Sequence, residues 1–311
     1  MIALSTRTPA KLNLGLEVLD RRSDGFHEIN TVMVAIGIFD RLRIVAAPSL
    51  SFTGDVNADT GHENLAEIAL SEFRNWAGGE PGAELRLKKR IPVAAGLGGA
   101  SSDAAATLRL AKRLWRVHIP KTELHELAAK LGSDVPFFLR CGAALATGRG
   151  EKLEPLPPPS TTWFVVASPN IVLPHKTERL YGLLQPGNFT AGDHVGQVAN
   201  VLRMGNFPSP ELLANAFERP LSQLFPALRE ELTQMFHRAG APFIALSGAG
   251  PSHYTAVADP FRAEHIAAKL RALLGSATDI LACQTVVRPP SITVVASPAI
   301  EPAEPNSAIK R

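Results

Sequence analysis

The chain has few of the features that mark secreted, membrane-spanning or metal-binding proteins. Its 311 residues include only two cysteines, Cys141 and Cys283, which lie far apart and lack CxxC or Cys/His metal spacing. Two isolated thiols suit a reducing compartment. The N-terminus has no hydrophobic signal segment, and the apolar run over residues 32–39 is far too short to cross a bilayer. These absences predict a cytoplasmic protein without membrane attachment.

Strong charge of one sign is also missing. The formal net charge of +3 is too small to indicate nucleic-acid binding, and 45% hydrophobic with 20% charged residues is typical of a globular chain. Basic residues do cluster at 86–90 and again at 109–116. A solvated face is the simpler interpretation of both clusters, and steering of an anionic substrate is the alternative. The chain contains no internal repeat.

A glycine-rich segment from Pro92 to Asp103 is the most informative part of the chain. Gly96, Gly98 and Gly99 fall within four residues, and a helical pattern begins directly after them. Glycine lets the backbone turn sharply and approach a ligand, and a helix N-terminus presents free N–H groups and positive potential. The segment therefore predicts a cradle for an anion, most commonly phosphate.

This cradle matches neither of the two standard phosphate motifs. A Walker loop requires Lys-Ser/Thr after its last glycine, but Ala100 and Ser101 follow Gly99. The Rossmann fingerprint requires a glycine three residues after Gly98, where Ser101 stands. A flexible linker is the simpler alternative. The regular helical pattern downstream, for which Ser101 or Ser102 can serve as N-cap, argues against it.

The order of elements indicates mixed α and β structure. Alternating apolar residues over Leu12–Val18 predict a half-buried strand. Further strands are expected over residues 31–39, 41–46, 85–91, 163–167, 243–246, 252–258 and 280–287, and helices over 62–77, 104–115, 124–131, 176–184, 194–204, 210–217, 226–239 and 260–274. Ser133–Pro136 is expected to be an exposed loop. The proline cluster at Pro155–Ser160 predicts a domain boundary, and the composition of residues 289–311 predicts a disordered tail.

Five short motifs together resemble the GHMP kinase superfamily. They are Pro9–Leu14 (PAKLNL), Asp24–His27 (DGFH), the glycine-rich segment, Leu131–Pro136 (LGSDVP) and Ser247–Pro251 (SGAGP). The two glycine-rich motifs are typical of the superfamily as a whole. The other three resemble its branch that phosphorylates a polyol linked to cytidine diphosphate. The resemblance extends from Pro9 to about Val287.

That resemblance implies an α+β fold of two domains. The N-terminal domain, residues 1–158, would be an α/β unit like domain 2 of ribosomal protein S5 and would carry the glycine-rich ATP loop. The C-terminal domain, residues 159–288, would be a ferredoxin-like α+β unit. Substrate and ATP would lie in the cleft between the domains of a monomer or homodimer.

The reaction implied is transfer of the ATP γ-phosphoryl group to the 2-hydroxyl of a cytidine diphosphate-linked methylerythritol, in the non-mevalonate isoprenoid pathway. Phosphoryl transfer depends on positioning and charge stabilisation. The resemblance makes Asp134 the general base, with Lys11 keeping it ionised and stabilising the developing alkoxide. Without the resemblance, Asp134 is an ordinary helix-flanking aspartate. For Lys11 the simpler interpretation is a solvated lysine at a strand end, but the alternating apolar strand that starts beside it favours the edge of an active site.

The ATP side of the site follows from the same resemblance. The loop residues expected to hold the phosphates are Pro92, Ala94, Ala95, Gly96, Leu97, Gly98, Gly99, Ala100, Ser101 and Ser102. Asn64 resembles an adenine-side residue of the family. Mg²⁺ is expected to accompany ATP, with Ser101 and Ser102 helping to hold it through water, although no ligand set is evident.

The acceptor side carries the expected substrate contacts. Asn13 would bond the polyol, while Phe26 and His27 would hold the cytosine by stacking and by reading the pyrimidine edge. Tyr181 is a second candidate for stacking, and a core tyrosine is an equally good interpretation of it. Ser247 and Gly248 would close the cleft beside the substrate phosphates.

The chain departs from the family pattern at Phe26, where tyrosine is usual, and at Ala100, where a third consecutive glycine is usual. Asp103 stands where asparagine is common. One alternative function is that of another small-molecule GHMP kinase, acting on homoserine or mevalonate, but those acceptors have no base for the DGFH turn to stack. A catalytically silent nucleotide-binding relative is the other alternative. Retention of both Lys11 and Asp134 argues against it.

Overall fold

The structure is a computed structural model that describes residues 2–54, 64–79, 81–159, 162–171 and 173–296. The strands in these ranges are β1 (Ile2–Arg21), β2 (His27–Ala47), β3 (Leu50–Gly54), β4 (Gly82–Lys88), β5 (Ala143–Thr147), β6 (Lys152–Leu156), β7 (Trp163–Pro169), β8 (Ala245–Leu246), β9 (His253–Val257), β10 (Thr278–Gln284) and β11 (Thr293–Ala296). The helices are α1 (Leu65–Trp76), α2 (Gly99–Leu114), α3 (Lys121–Leu131), α4 (Val135–Phe138), α5 (Lys176–Gly182), α6 (Asp193–Arg203), α7 (Glu218–Leu224), α8 (Leu228–Ala239) and α9 (Pro260–Leu274). The predicted α+β class is confirmed.

The larger sheet is organised by the long antiparallel pair β1 and β2, which the predicted Asp-Gly turn connects. Its strand order is β11-β1-β2-β4-β3. In addition, β5 pairs with the N-terminal part of β2, and β6 pairs with β5. Helices α1 to α4 supply the core on one face, where Phe73, Leu85, Leu108 and Phe137 are all buried. This packing holds the start of α2 at the side of β1.

The smaller sheet has the antiparallel order β10-β7-β9-β8. Numbered within this unit, the order is 4-1-3-2, which is that of a βαββαβ ferredoxin-like unit and confirms that expectation. Helices α8 and α9 cover one face through residues such as Phe236 and Ile266. The other face shares a buried core with the larger sheet and α6, to which Leu12, Phe164 and Tyr254 belong. This shared core fixes the two sheets against each other.

Helix α2 begins within the glycine-rich segment itself. Its N-cap is Gly98, with a left-handed φ of 69°, and no side chain caps the helix. The prediction of a serine cap is therefore wrong, since Ser101 and Ser102 already lie in the first turn. The helix starts earlier than its apolar pattern because glycine alone tolerates the left-handed turn that leads into it.

Three local predictions fail for identifiable reasons. Residues 293–296 form β11 against β1, so disorder from residue 289 is wrong there: a short β-branched run finds an open sheet edge. The remaining tail, 297–311, lies outside the described residues. Ser133–Pro136 is not simply an exposed loop, since Pro136 is buried in the short helix α4. The helix expected over 210–217 is a single 3₁₀ turn at Pro210–Leu212.

No helix in the described ranges is long and apolar enough to cross a membrane.

Candidate active site

A deep cleft runs between the glycine-rich segment, the β1–β2 turn and helix α5. Its volume is about 1740 Å³. Pockets for one small ligand are typically about 300–1,000 Å³, so the cleft has room for two sizeable ligands side by side. Most of the predicted site residues line it, from Asn64 and Ser101 at one end to Phe26 and Tyr181 at the other.

Lys11 and Asp134 meet in the cleft, as the resemblance implies. Lys11 Nζ lies 3.4 Å from Asp134 Oδ2 and donates a 2.6 Å hydrogen bond to Asn13 Oδ1. The lysine side chain is 6% exposed and the aspartate 31%. A shielded cation thus faces a carboxylate that remains open to a ligand.

Asn13 is held rigidly beside this pair. Its amide donates to Thr31 Oγ1 at 2.8 Å, and Thr31 in turn donates to the carbonyl of Gly15 at 2.6 Å. The Tyr254 hydroxyl, from the smaller sheet, donates to the backbone carbonyl of Asn13 at 3.0 Å. Here β1 is hydrogen-bonded to β2 on one side and to Tyr254 on the other. The backbone positions of Lys11 and Asn13 are therefore fixed.

The glycine-rich loop approaches its neighbours so closely that side chains are excluded at two positions. A Cβ on Gly98 would lie 2.9 Å from Lys11 Cγ, and one on Gly96 would lie 2.3 Å from the carbonyl oxygen of Ser247. Both residues have positive φ. The first turn of α2 contains no acidic residue, so its N–H groups and positive dipole end face the cleft uncompensated. This geometry suits phosphate.

A second loop, Ser247–Gly250, closes against the first. Ser247 Oγ donates to the carbonyl of Gly96 at 3.1 Å, and Asn215 Nδ2 holds the carbonyl of Gly248 at 3.0 Å. Gly248 lies beside Lys11, because a Cβ there would be 3.2 Å from Lys11 Nζ. Gly248 lines the cleft, as expected, whereas Ser247 is fully buried and acts between the loops.

Aromatic side chains form the far end of the cleft. His27 stacks on Tyr181 with ring centroids 4.7 Å apart, and Phe26 is 50% exposed with the Arg149 guanidinium 4.6 Å from its ring centroid. The structure therefore pairs Tyr181 with His27 and leaves Phe26 free on its open side. Partial burial and the charge of Arg21 lower the pKa of His27.

A buried charge network supports the glycine-rich loop from behind. Lys89 Nζ donates to Asp40 and, at 2.8 Å, to Asp103 Oδ2, while Asp103 Oδ1 accepts from Thr8 Oγ1 at 2.6 Å. Asp40 Oδ1 also accepts from the backbone N–H of Ile91 at 2.7 Å. Burial raises the pKa of Asp103 to about 7 against the opposing effect of Lys89. The network fixes both the entry to the loop and, through Asp103, the N-terminal part of α2.

The structure places the remaining predicted residues as follows. Asn64 is the N-cap of α1, accepting from Ala66 N at 2.9 Å, and it lines the cleft. Ala100 lies in the first turn of α2, where a methyl group requires no unusual backbone. Ser102 is 1% exposed, lies off the cleft wall, and its hydroxyl has no hydrogen-bond partner within the described part of the chain. The other loop residues, from Pro92 to Ser101, line the cleft.

Sequence reasoning missed Arg149 and Lys176, which both line the cleft. Arg149 lies in a Gly-Arg-Gly turn after β5, and Lys176 begins a helix whose preceding residue, His175, has a φ of 53°. Neither carries a spacing signal in the sequence. At each of these positions, the sequence offers only a weak hint, which is a basic residue close to residues that favour turns.

Comparison with known proteins identifies relatives over most of the chain. The family model of the GHMP kinases N terminal domain matches residues 64–142. A 4-diphosphocytidyl-2-C-methyl-D-erythritol kinase of Dehalococcoides mccartyi is 39% identical over 264 residues, which cover 85% of this chain and 92% of the relative. One of Geobacillus sp. (strain WCH70) is 36% identical over 273 residues, covering 86% and 93%.

Solved structures agree with these relatives. The crystal structure of a 4-(cytidine 5'-diphospho)-2C-methyl-D-erythritol kinase matches with a TM-score of 0.75 and 35% identity, covering 90% of this chain and 98% of that one. A homoserine kinase from Cytophaga hutchinsonii reaches a TM-score of 0.73 over 94% of this chain and 97% of its own, but at 16% identity it shows the fold alone.

Proposed function

The chain belongs to the 4-diphosphocytidyl-2-C-methyl-D-erythritol kinases of the GHMP kinase superfamily, and we propose that its cleft transfers the γ-phosphoryl group of ATP to the 2-hydroxyl of that substrate. The observation that carries the proposal is the Lys11–Asp134 pair, 3.4 Å apart between a phosphate cradle and an aromatic wall. The pair stands where the two ends of the cleft meet. We further propose that the enzyme is cytoplasmic, which its two free, buried cysteines favour.

Asp134 is the general base in this proposal. Its carboxylate is partly exposed in the cleft and accepts no hydrogen bond from the described residues, so it is free to accept the hydroxyl proton as the new O–P bond forms. Lys11 balances the negative charge of Asp134 and of the developing alkoxide. Asn13 fixes Lys11 and offers its amide edge to the polyol.

The backbone of the glycine-rich loop and the first turn of α2 bind the ATP phosphates. Their N–H groups provide hydrogen bonds without a flexible side chain, so the γ-phosphate is oriented before the reaction begins. The Lys89–Asp40–Asp103 network keeps that backbone in place. Asn64, which lines the cleft, would lie beside the adenine.

The aromatic end binds the cytidine. The open face of Phe26 offers a stacking surface, and Arg149 on the same ring adds a positive charge near the substrate diphosphate. Because its pKa is lowered, His27 is neutral at pH 7 and offers one donor and one acceptor to the pyrimidine edge. Tyr181 supports the His27 ring by stacking.

The residues fit a Mg²⁺ ion that arrives with ATP. No cluster of three metal-binding side chains occurs in the described part of the chain, and Mg²⁺ in phosphoryl transfer typically needs only one or two protein ligands beside the phosphates. The Ser101 hydroxyl lines the cleft, and the Ser102 hydroxyl is buried with no partner among the described residues. Ser101 would hold the ion, directly or through water, and the ion would neutralise charge on the β- and γ-phosphates.

A panel of acceptors tests the proposal. Purified protein with ATP and Mg²⁺ is incubated separately with 4-diphosphocytidyl-2-C-methyl-D-erythritol, homoserine and mevalonate, and ADP release and product phosphorus NMR are measured. We expect turnover with the cytidyl acceptor alone and a new phosphate on its 2-hydroxyl. Turnover with homoserine or mevalonate instead would overturn the proposal, and no turnover with any acceptor would favour a silent relative.

A further inference from the structure

Lys176 is a buried cation that the mechanism above does not use. It is the first residue of α5 and is 6% exposed, although lysine is almost never fully buried unless paired. Its ammonium donates hydrogen bonds to the carbonyl of Ala94 in the glycine-rich loop and to the carbonyl of Gly250 in the second loop. One side chain therefore connects α5 to both loops at the phosphate end of the cleft.

The loop backbone at this contact adopts a conformation that needs external support. Ala94 has a φ of 53°, a left-handed conformation that is unfavourable for a residue with a Cβ. Such a residue persists where its surroundings hold it. The hydrogen bond from Lys176 lies at that position, two residues before Gly96 meets Ser247. Removing the ammonium removes the side chain that restrains this turn.

The charge around Lys176 is unbalanced. Within the described residues, no carboxylate forms an ion pair with it, and the two loops that accept its hydrogen bonds carry no ionisable side chain. On its own helix Glu178 and Arg179 are exposed. Burial and the neighbouring charge of Lys11 lower the pKa of Lys176 to about 8. A buried cation lacking a counter-charge is unfavourable, and an anionic ligand in the cleft relieves that cost.

We propose that Lys176 is a positioning residue for phosphoryl transfer, which holds the two glycine-rich loops together and whose positive charge is balanced by the phosphates of bound ATP. The inference rests on the proposed function for the identity of the ligand. It gives a role to one more of the cationic side chains that line the cleft, beside Lys11 and Arg149. Because the ammonium bonds the ATP loop rather than the aromatic end, its loss affects ATP and leaves the acceptor site intact.

The first test compares three variants of the full chain in steady-state assays. Lys176→Met removes the charge and the donors, Lys176→Arg keeps a cation, and Arg179→Met removes an exposed charge from the same helix as a control. We expect Lys176→Met to raise the KM for ATP at least tenfold with less than a twofold change for the acceptor, Lys176→Arg to recover part of the loss, and Arg179→Met to match the wild type. An unchanged KM for ATP, or an equal rise in both values, would overturn the inference.

The second test uses only the wild-type protein, so its outcome does not depend on whether a variant folds. Binding of ATP with Mg²⁺ and no acceptor is measured calorimetrically at pH 8 in two buffers of different ionisation enthalpy. We expect net proton uptake, because the phosphates favour the charged form of Lys176, and its absence would contradict the inference. Since no acceptor is present, this result stands whether or not the acceptor panel supports the proposed function.

Discussion

The two ends of the cleft are built by different means. At the proposed ATP end the phosphate cradle itself is backbone: Gly96, Gly98 and the first turn of α2 carry no ionisable side chain, and two positions there exclude even a methyl group. The charged side chains at this end, such as Lys89 and Lys176, lie beside that backbone and support it. The cytidine end consists of side chains, with Phe26, His27 and Tyr181 arriving from the β1–β2 turn, β2 and α5. We therefore expect a substitution in the ATP loop to abolish most ATP binding, and a substitution in the aromatic wall to weaken acceptor binding by a smaller factor. Asp134 lies between the two ends, and its loss should lower the turnover rate itself.

Asp134→Asn should have the largest effect, because it removes the base without altering either end. We expect kcat to fall by about 10²- to 10⁴-fold while the affinity for ATP changes little. Steady-state kinetics and ATP titration measure the two quantities. Asp279→Asn, which changes an exposed carboxylate on β10, serves as the control and should match the wild type. A rate within threefold of wild type for Asp134→Asn would remove Asp134 from the mechanism.

Gly96→Ala should disable the ATP end selectively. The new methyl group would meet the carbonyl of Ser247, and the left-handed φ of 80° disfavours alanine. We expect the KM for ATP to rise roughly tenfold or more, since each 1.4 kcal/mol is a factor of ten. Gly196→Ala on α6, where a Cβ meets nothing within 4 Å, is the matched control. An unaffected KM for ATP would mean that the loop does not bind the phosphates in this conformation.

Phe26→Ala should weaken the acceptor and spare ATP. Stacking of one base is worth roughly 1–3 kcal/mol, so we expect a rise of about 5- to 150-fold in the KM for the cytidyl acceptor, near the lower end because the ring is half exposed. Phe26→Tyr should stay close to wild type. Phe261→Ala removes a ring that is 84% exposed on α9 and should change neither KM. A rise in the KM for ATP alone would reverse the assignment of the two ends.

The smallest effect concerns the ionisation of His27. Partial burial lowers its pKa from the usual 6.5, so the ring is neutral at pH 7 and the KM for the acceptor should be flat from pH 7 to 8. Because the pKa is lower in the folded than in the unfolded chain, any loss of stability from this residue appears as the pH falls below about 6.5. Ring-proton NMR, with His27→Gln to assign the resonance, measures the midpoint. A midpoint at or above 6.5 would contradict this account.

The same contrast explains how much of the site the sequence predicts. The ATP loop is visible in the sequence because Gly96, Gly98 and Gly99 stand in one contiguous segment before a regular helix. Lys11 and Asp134 lie 123 residues apart in sequence, so their contact could be expected only from the resemblance. Lys176 was missed because its partners are backbone carbonyls, which leave no trace in residue type. Strand β11 was missed because its four residues are surrounded by proline, alanine and serine.

Cross-inhibition by the two nucleoside diphosphates tests the central claim most directly, because the claim is that one cleft binds two nucleotides at chemically different ends. CDP and ADP are each added to the wild-type reaction while ATP and the cytidyl acceptor are varied in turn. We expect CDP to compete with the acceptor and not with ATP, and ADP to compete with ATP and not with the acceptor. Competition of CDP with ATP, without competition against the acceptor, would contradict the assignment of the two ends.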